Sequence, residues 1–173
     1  MGRLILVAGE TGSGKSRYAE RVAARAGAHR VYIATMIPQT EENRRRVEHH
    51  LRQRAGLDFQ TLELPCRVGD APLGPHTCVL LEDVSNLLAN VIFVLGGRWE
   101  AVFDDICRLQ ERSATLVAVT IAGLRPDGYE GETAAYIDSL NRLNKRLSVR
   151  ADAVIFMGDG SPYAWKGELP DVD

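Results

Sequence analysis

Leu4-Ile5-Leu6-Val7-Ala8 runs directly into Gly9-Glu10-Thr11-Gly12-Ser13-Gly14-Lys15-Ser16. An apolar run of this length, rich in branched residues, reads as a buried strand. The eight residues after it fit G-x-x-x-x-G-K-S, and Ser16 to about Ala28 reads as a helix. Strand, glycine loop and helix in that order form a phosphate cradle. Gly9, Gly12 and Gly14 let the backbone turn tightly enough to aim amide N–H groups inward. The following helix adds the positive end of its dipole. Lys15 brings a charge to the β/γ-phosphates, and the Ser16 hydroxyl is placed to ligate Mg²⁺. Gly9, Glu10, Thr11, Gly12, Ser13, Gly14, Lys15 and Ser16 are therefore all nucleotide-binding candidates, with Lys15 also catalytic.

The rest of the chain alternates strand and helix signals. Arg30–Thr35, Phe59–Glu63, Thr77–Leu81, Thr115–Thr120 and Ala153–Met157 read as strands. Glu41–Ala55, Ser85–Leu95, Ala101–Arg112 and Glu132–Ala151 read as helices. The 65–75 and 123–131 stretches read as loops, and the tail beyond 157 as turns. Repeated βα units imply an α/β fold of the P-loop NTPase kind, a three-layer sandwich around a mostly parallel sheet. The 173 residues suit a single nucleotide-binding domain. Trp99 and Trp165 read as packing residues.

Two further clusters carry chemistry. The strand Cys78-Val79-Leu80-Leu81 ends in Glu82-Asp83. A carboxylate at the end of an apolar strand can hold Mg²⁺ or its water beside phosphates, although strand ends also carry acids as plain turn residues. Spacing does not separate Glu82 from Asp83. The second cluster is Arg44-Arg45-Arg46-Val47-Glu48-His49-His50-Leu51-Arg52-Gln53-Arg54. On a helix, His49 lies beside Arg45, Arg46 and Arg52, and His50 beside Arg46 and Arg54. Guanidiniums around an imidazole suit a polyphosphate and favour the neutral, nucleophilic ring. The same segment also fits a solvated face with Glu41–Arg45 and Arg44–Glu48 pairs. Thr35 ends the second strand, where it can face the ligand crevice or cap the turn. Thr35, His50, Arg52 and Glu63 complete the nucleotide-binding candidates.

Composition excludes several classes. The net charge is −2, and the basic helix has no interleaved aromatics, so nucleic-acid binding is not expected. Three scattered cysteines without C-x-x-C spacing read as reduced thiols. No apolar run approaches the roughly 18 residues of a membrane span. The apolar start gives way to the glycine loop too early for a signal peptide. A cytoplasmic protein is the expectation.

Taken together, the motifs resemble the bifunctional adenosylcobinamide kinase / adenosylcobinamide-phosphate guanylyltransferase family of cobalamin biosynthesis. The loop followed by Ser16-Arg17-Tyr18-Ala19-Glu20 is similar to that family's G-K-S-R-x-A-E, and Tyr32-Ile33-Ala34-Thr35 to its Y-I-A-T. Arg46-Val47-Glu48-His49-His50 resembles its R-I-x-x-H, whose histidine is guanylylated. Leu80-Leu81-Glu82-Asp83 with Asn86 or Asn90, Asn144, Ala151-Asp152 and the tail Gly160-Ser161-Pro162 to Lys166 resemble later stretches. The resemblance implies that GTP or ATP phosphorylates adenosylcobinamide, and that GMP then passes from GTP through a histidine. It assigns His49 as that nucleophile, Mg²⁺ to Ser16 and Glu82, and a homo-oligomeric assembly. One departure is clear: the family's T-N-E-V-G is Thr120-Ile121-Ala122-Gly123-Leu124 here. Two other readings fit the phosphate loop, a small-metabolite kinase without guanylyltransferase activity and a nucleotide-binding regulator.

Overall fold

The computed structural model describes residues 1–173. Seven strands form one sheet in the order β3-β2-β4-β5-β1-β6-β7. They are β1 (Arg3–Gly9), β2 (His29–Ala34), β3 (Phe59–Glu63), β4 (Thr77–Glu82), β5 (Thr115–Ile121), β6 (Ala153–Gly158) and β7 (Ser161–Lys166). The first six are parallel and β7 is antiparallel to β6. β1, between β5 and β6, is apolar on both sides, as a central parallel strand requires. Period-two alternation sends Leu4 and Leu6 to one face and Ile5 and Val7 to the other.

The two faces are covered unequally. Helices α3 (Val84–Ala89), α4 (Trp99–Arg112) and α5 (Gly131–Arg150) pack on the Leu4 side, around Leu81, Leu88, Ile106, Leu116 and Leu140. The Ile5 side is covered mainly by α1 (Lys15–Ala26), through Tyr18, Val22 and Ala23. Helix α2 (Glu41–Gln53) has no buried residue. Thr40 caps its start, accepting from the Asn43 N–H at 3.1 Å.

A buried carboxylate fixes the longest connection. Asp105 of α4 accepts the Val68 and Gly69 N–H groups, each at 2.8 Å, and pairs with Arg108 at 2.9 Å. It pins the single 3₁₀ turn Val68–Asp70 before β4. Asp105→Ala leaves two buried N–H groups unpaired, so a loss of about 2–4 kcal/mol is expected. A urea midpoint that moves down at unchanged slope checks it.

The fold corrects three expectations. The tail is a strand: Asp159 and Gly160, both at positive φ (50° and 76°), make a two-residue hairpin between β6 and β7. Pro162 is tolerated because β7 is an edge strand with one side of its backbone unpaired. Trp165 stands on that strand 72% exposed and is no packing residue. The apolar helix from Ser85 changes at Asn90–Val94 into a π turn, closed by Gly96 at φ 65°. Trp99 does pack against the core, as expected.

Candidate active site

The glycine loop lies where β1 ends, at the carboxyl edge of the sheet. Strand connections diverge to either side of β1, the position where open α/β sheets bind ligands. Gly12 and Gly14 sit at φ 78° and 84°, a region costly for any other residue. At Gly9 a Cβ would lie 2.5 Å from Ser13 Oγ and 3.3 Å from the Met157 carbonyl oxygen, so a side chain there would crowd the loop. The Ser13 N–H donates to the Glu10 carbonyl at 3.2 Å, and Lys15 Nζ donates to the same oxygen at 3.2 Å. Lys15 is 8% exposed.

Glu82 and Asp83 have different partners. Ser16 Oγ donates to Glu82 Oε1 at 2.6 Å. Asp83 instead caps α3, its Oδ1 accepting the Asn86 N–H at 2.7 Å. Glu82 Oε2 is buried without a partner. A hydroxyl beside a carboxylate with a free oxygen is a hard-oxygen donor pair that fits Mg²⁺, which takes few protein ligands and keeps waters and phosphates for the rest. Burial and the Asp83 charge raise the Glu82 pKa, and burial raises that of Asp83. A cation or a phosphate-bound metal beside them would relieve that cost.

Thr35 does not face the crevice. It is fully buried, its hydroxyl donating toward the Glu82 and Asp83 carbonyls (3.1 and 2.9 Å) and accepting the Asp83 N–H (2.9 Å). Asn90 Nδ2 donates to the Thr35 carbonyl at 2.8 Å and to the Pro65 carbonyl at 2.9 Å. Thr35 thus ties the ends of β2 and β4 together and holds Glu82 in place.

The two histidines separate. His50 lines a crevice of about 40 Å³ together with Arg46, Arg54, Glu82, Asp83 and Asn86. His49 is exposed, its ring set edge-on to that of His50 with centroids 6.0 Å apart. The histidine that the structure brings to the Ser16–Glu82 pair is His50 rather than His49. Burial lowers the His50 pKa first, with further lowering from His49, Arg54, Arg46 and Lys15. Its Nδ1 is buried without a hydrogen-bond partner. Of the helix arginines, Arg46 reaches the crevice, while Arg45 pairs with Glu41 at 3.7 Å and Arg52 is exposed. Arg44 leans to Glu41 at 4.0 Å and makes no pair with Glu48. Glu63 is exposed at the end of β3, level with Ala34 and, across β2, with Glu82.

Two anchors of α2 escaped the sequence reading. Glu20 of α1 is 2% exposed and accepts Gln53 Nε2 at 2.6 Å. Arg54 lies 3.5 Å over the Tyr32 ring and donates to Thr61 Oγ1 at 3.1 Å. Burial of Glu20, a charged residue in the second turn of α1, has no signature in a single sequence. The Arg54 position is marked only by its helical spacing from Val47 and His50. Of six buried side-chain atoms without a partner, five belong to Ser13, Tyr18, Glu20, His50 and Glu82. They lie on the phosphate loop, α1, α2 and the end of β4.

The model of the family described as cobinamide kinase / cobinamide phosphate guanyltransferase matches residues 5–164. The chain belongs to this family. It is 31% identical over 173 aligned residues to the bifunctional adenosylcobalamin biosynthesis protein CobP of Pseudomonas aeruginosa, covering 94% of this chain and 97% of that one. It is 32% identical to the bifunctional adenosylcobalamin biosynthesis protein CobU of Salmonella typhimurium, covering 91% and 96%. Membership makes the chain an enzyme of the class expected from its sequence, a nucleotide-using transferase. Among solved structures, an ATPase of a bacterial type III secretion system superposes with TM-score 0.53 at 15% identity, over 90% of this chain and 51% of that one. The chain thus spans about half of that ATPase, and the likeness shows the P-loop fold alone. No helix is long and apolar enough to cross a membrane.

Proposed function

We propose that this family member carries out both reactions in the crevice above β1 and β4. In the first, the aminopropanol hydroxyl of adenosylcobinamide attacks the γ-phosphorus of ATP or GTP, and the nucleoside diphosphate leaves. Lys15 and the loop N–H groups of residues 12–16 offset charge on the transferring group. Ser16 and Glu82 would hold Mg²⁺, which would offset the negative charge of the phosphates. In the second reaction the His50 imidazole attacks the α-phosphorus of GTP, a P–N bond forms and pyrophosphate leaves. The phosphate of adenosylcobinamide phosphate then attacks that phosphorus, giving adenosylcobinamide-GDP and free His50. Arg46 and Arg54, across the same crevice, balance the phosphate charge. A homo-oligomer and a cytoplasmic site of action belong to the same reading.

The observation that carries the proposal is the neutral-leaning imidazole of His50 in one crevice with Glu82, the partner of Ser16. GTP labelled at the α-phosphate tests it. An acid-labile, base-stable GMP adduct is expected on the peptide holding His50. An adduct on His49, or none while cobinamide is still phosphorylated, would refute the histidine assignment and leave a kinase. The loop itself supplies a milder prediction. Gly12→Ala places a side chain at φ 78°, and a several-fold rise in the KM for nucleotide is expected in steady-state assays, with a melting temperature lowered by a few degrees.

A further inference from the structure

β7 carries two aromatic rings that the core does not use. Trp165 is 72% exposed and Tyr163 50% exposed. Both wall one cavity of about 490 Å³ between α5 and the β1–β6–β7 side of the sheet. That volume is in the range of small-molecule sites.

Two features restrict what enters. One is position. The cavity is lined by Ala8, Ala122 and Phe156, and Phe156 also borders the shelf made by Glu10–Ser13 of the phosphate loop. The cavity therefore adjoins the phosphate loop across Phe156, and the side chains at 8 and 122 are small. The other is chemistry. Apart from the exposed ammonium of Lys145, its polar lining is already paired. Asn144 Oδ1 accepts from Thr120 Oγ1 at 2.6 Å, and Asn144 Nδ2 donates to the Ile121 carbonyl at 2.9 Å. Ser148 Oγ donates to the Lys145 carbonyl at 2.8 Å. A nucleobase pressed into this lining would bury ring nitrogens and amino groups without partners, at about 1–3 kcal/mol each. A ring edge covered with methyl groups has no such cost. Trp165 and Tyr163 offer flat apolar faces to it.

We propose that this groove is the acceptor site, on the kinase reading above. It seats the apolar rim of the large ring-bearing alcohol that receives the phosphoryl group. The hydroxyl arm then passes Phe156 to reach the loop. Because the Trp165 wall is open to water, a ring larger than the cavity can insert one edge and keep its amide arms hydrated.

Equilibrium dialysis with cobinamide, and separately with GTP, tests the assignment on wild type, Trp165→Ala and Ala122→Leu. Trp165→Ala removes an exposed side chain and Ala122→Leu fills the inner end of the groove. Each is expected to weaken cobinamide binding at least tenfold while leaving the GTP Kd and the histidine adduct unchanged. If Ala122→Leu fails to fold, Trp165→Ala alone decides. Wild-type cobinamide affinity in the folded variants would overturn the groove and leave the kinase reading intact. A wild-type protein that binds GTP but no cobinamide would overturn both.

Discussion

His50→Ala is expected to lose the GMP adduct altogether, and guanylyl transfer with it, by at least about a thousandfold. The nucleophile cannot be replaced by water in a step that must store GMP on the protein. The kinase half-reaction should survive within about tenfold, because it draws on Lys15 and the loop rather than on the imidazole. His49→Ala should keep both activities, since that ring is exposed. Adduct mass and product analysis on the same samples check all three. The pH dependence carries a sign. The His50 pKa lies below the ordinary histidine value because the ring is buried among cations. The neutral ring therefore persists into mildly acidic solution, and the acid limb of adduct formation should fall below pH ~6.5. A limb above that value would contradict the burial of the ring.

Lys15→Ala should depress both half-reactions together, by about 10²–10³ in kcat, the scale for removing one preorganised charge-stabilising donor. On the proposed mechanism both reactions use a triphosphate held by the same loop, so neither bypasses the ammonium. Lys15 makes one side-chain hydrogen bond, to the Glu10 carbonyl, and the variant should fold. Parallel loss in Lys15→Ala against selective loss in His50→Ala separates the shared phosphate cradle from the nucleophile. Selective loss in Lys15→Ala would mean that the two reactions bind nucleotide at different places.

The loop, the strand before it and the helix after it were legible because each local signal agrees with the fold around it. Glu82 against Asp83 was not, since the choice depends on which carboxylate α3 takes as its cap. The two readings of Thr35 stayed open for a related reason: the end of a strand is visible in sequence, but the side to which its hydroxyl turns is set by β4. The two histidines share one arginine-rich helix, and helical spacing gives each its guanidiniums. What distinguishes them in space is the face that α2 turns inward, and R-I-x-x-H counted from Arg46 also ends on His50. Val47, three residues before His50, and Arg54, four after it, mark that face. The tail strand hid behind Pro162, although Asp159-Gly160 is itself a hairpin signal.

Helix α2 buries none of its residues, and what ties it down lies at its carboxyl end, through Gln53, Arg54 and the partners Glu20, Tyr32 and Thr61. Its surface can therefore change without the core registering the change. A melting temperature is blind to most substitutions there, and a screen for stability will pass variants that a screen for turnover rejects. On the proposed mechanism, the same separation leaves lineages free to retune the transfer chemistry on this helix while the sheet and its loop stay as they are.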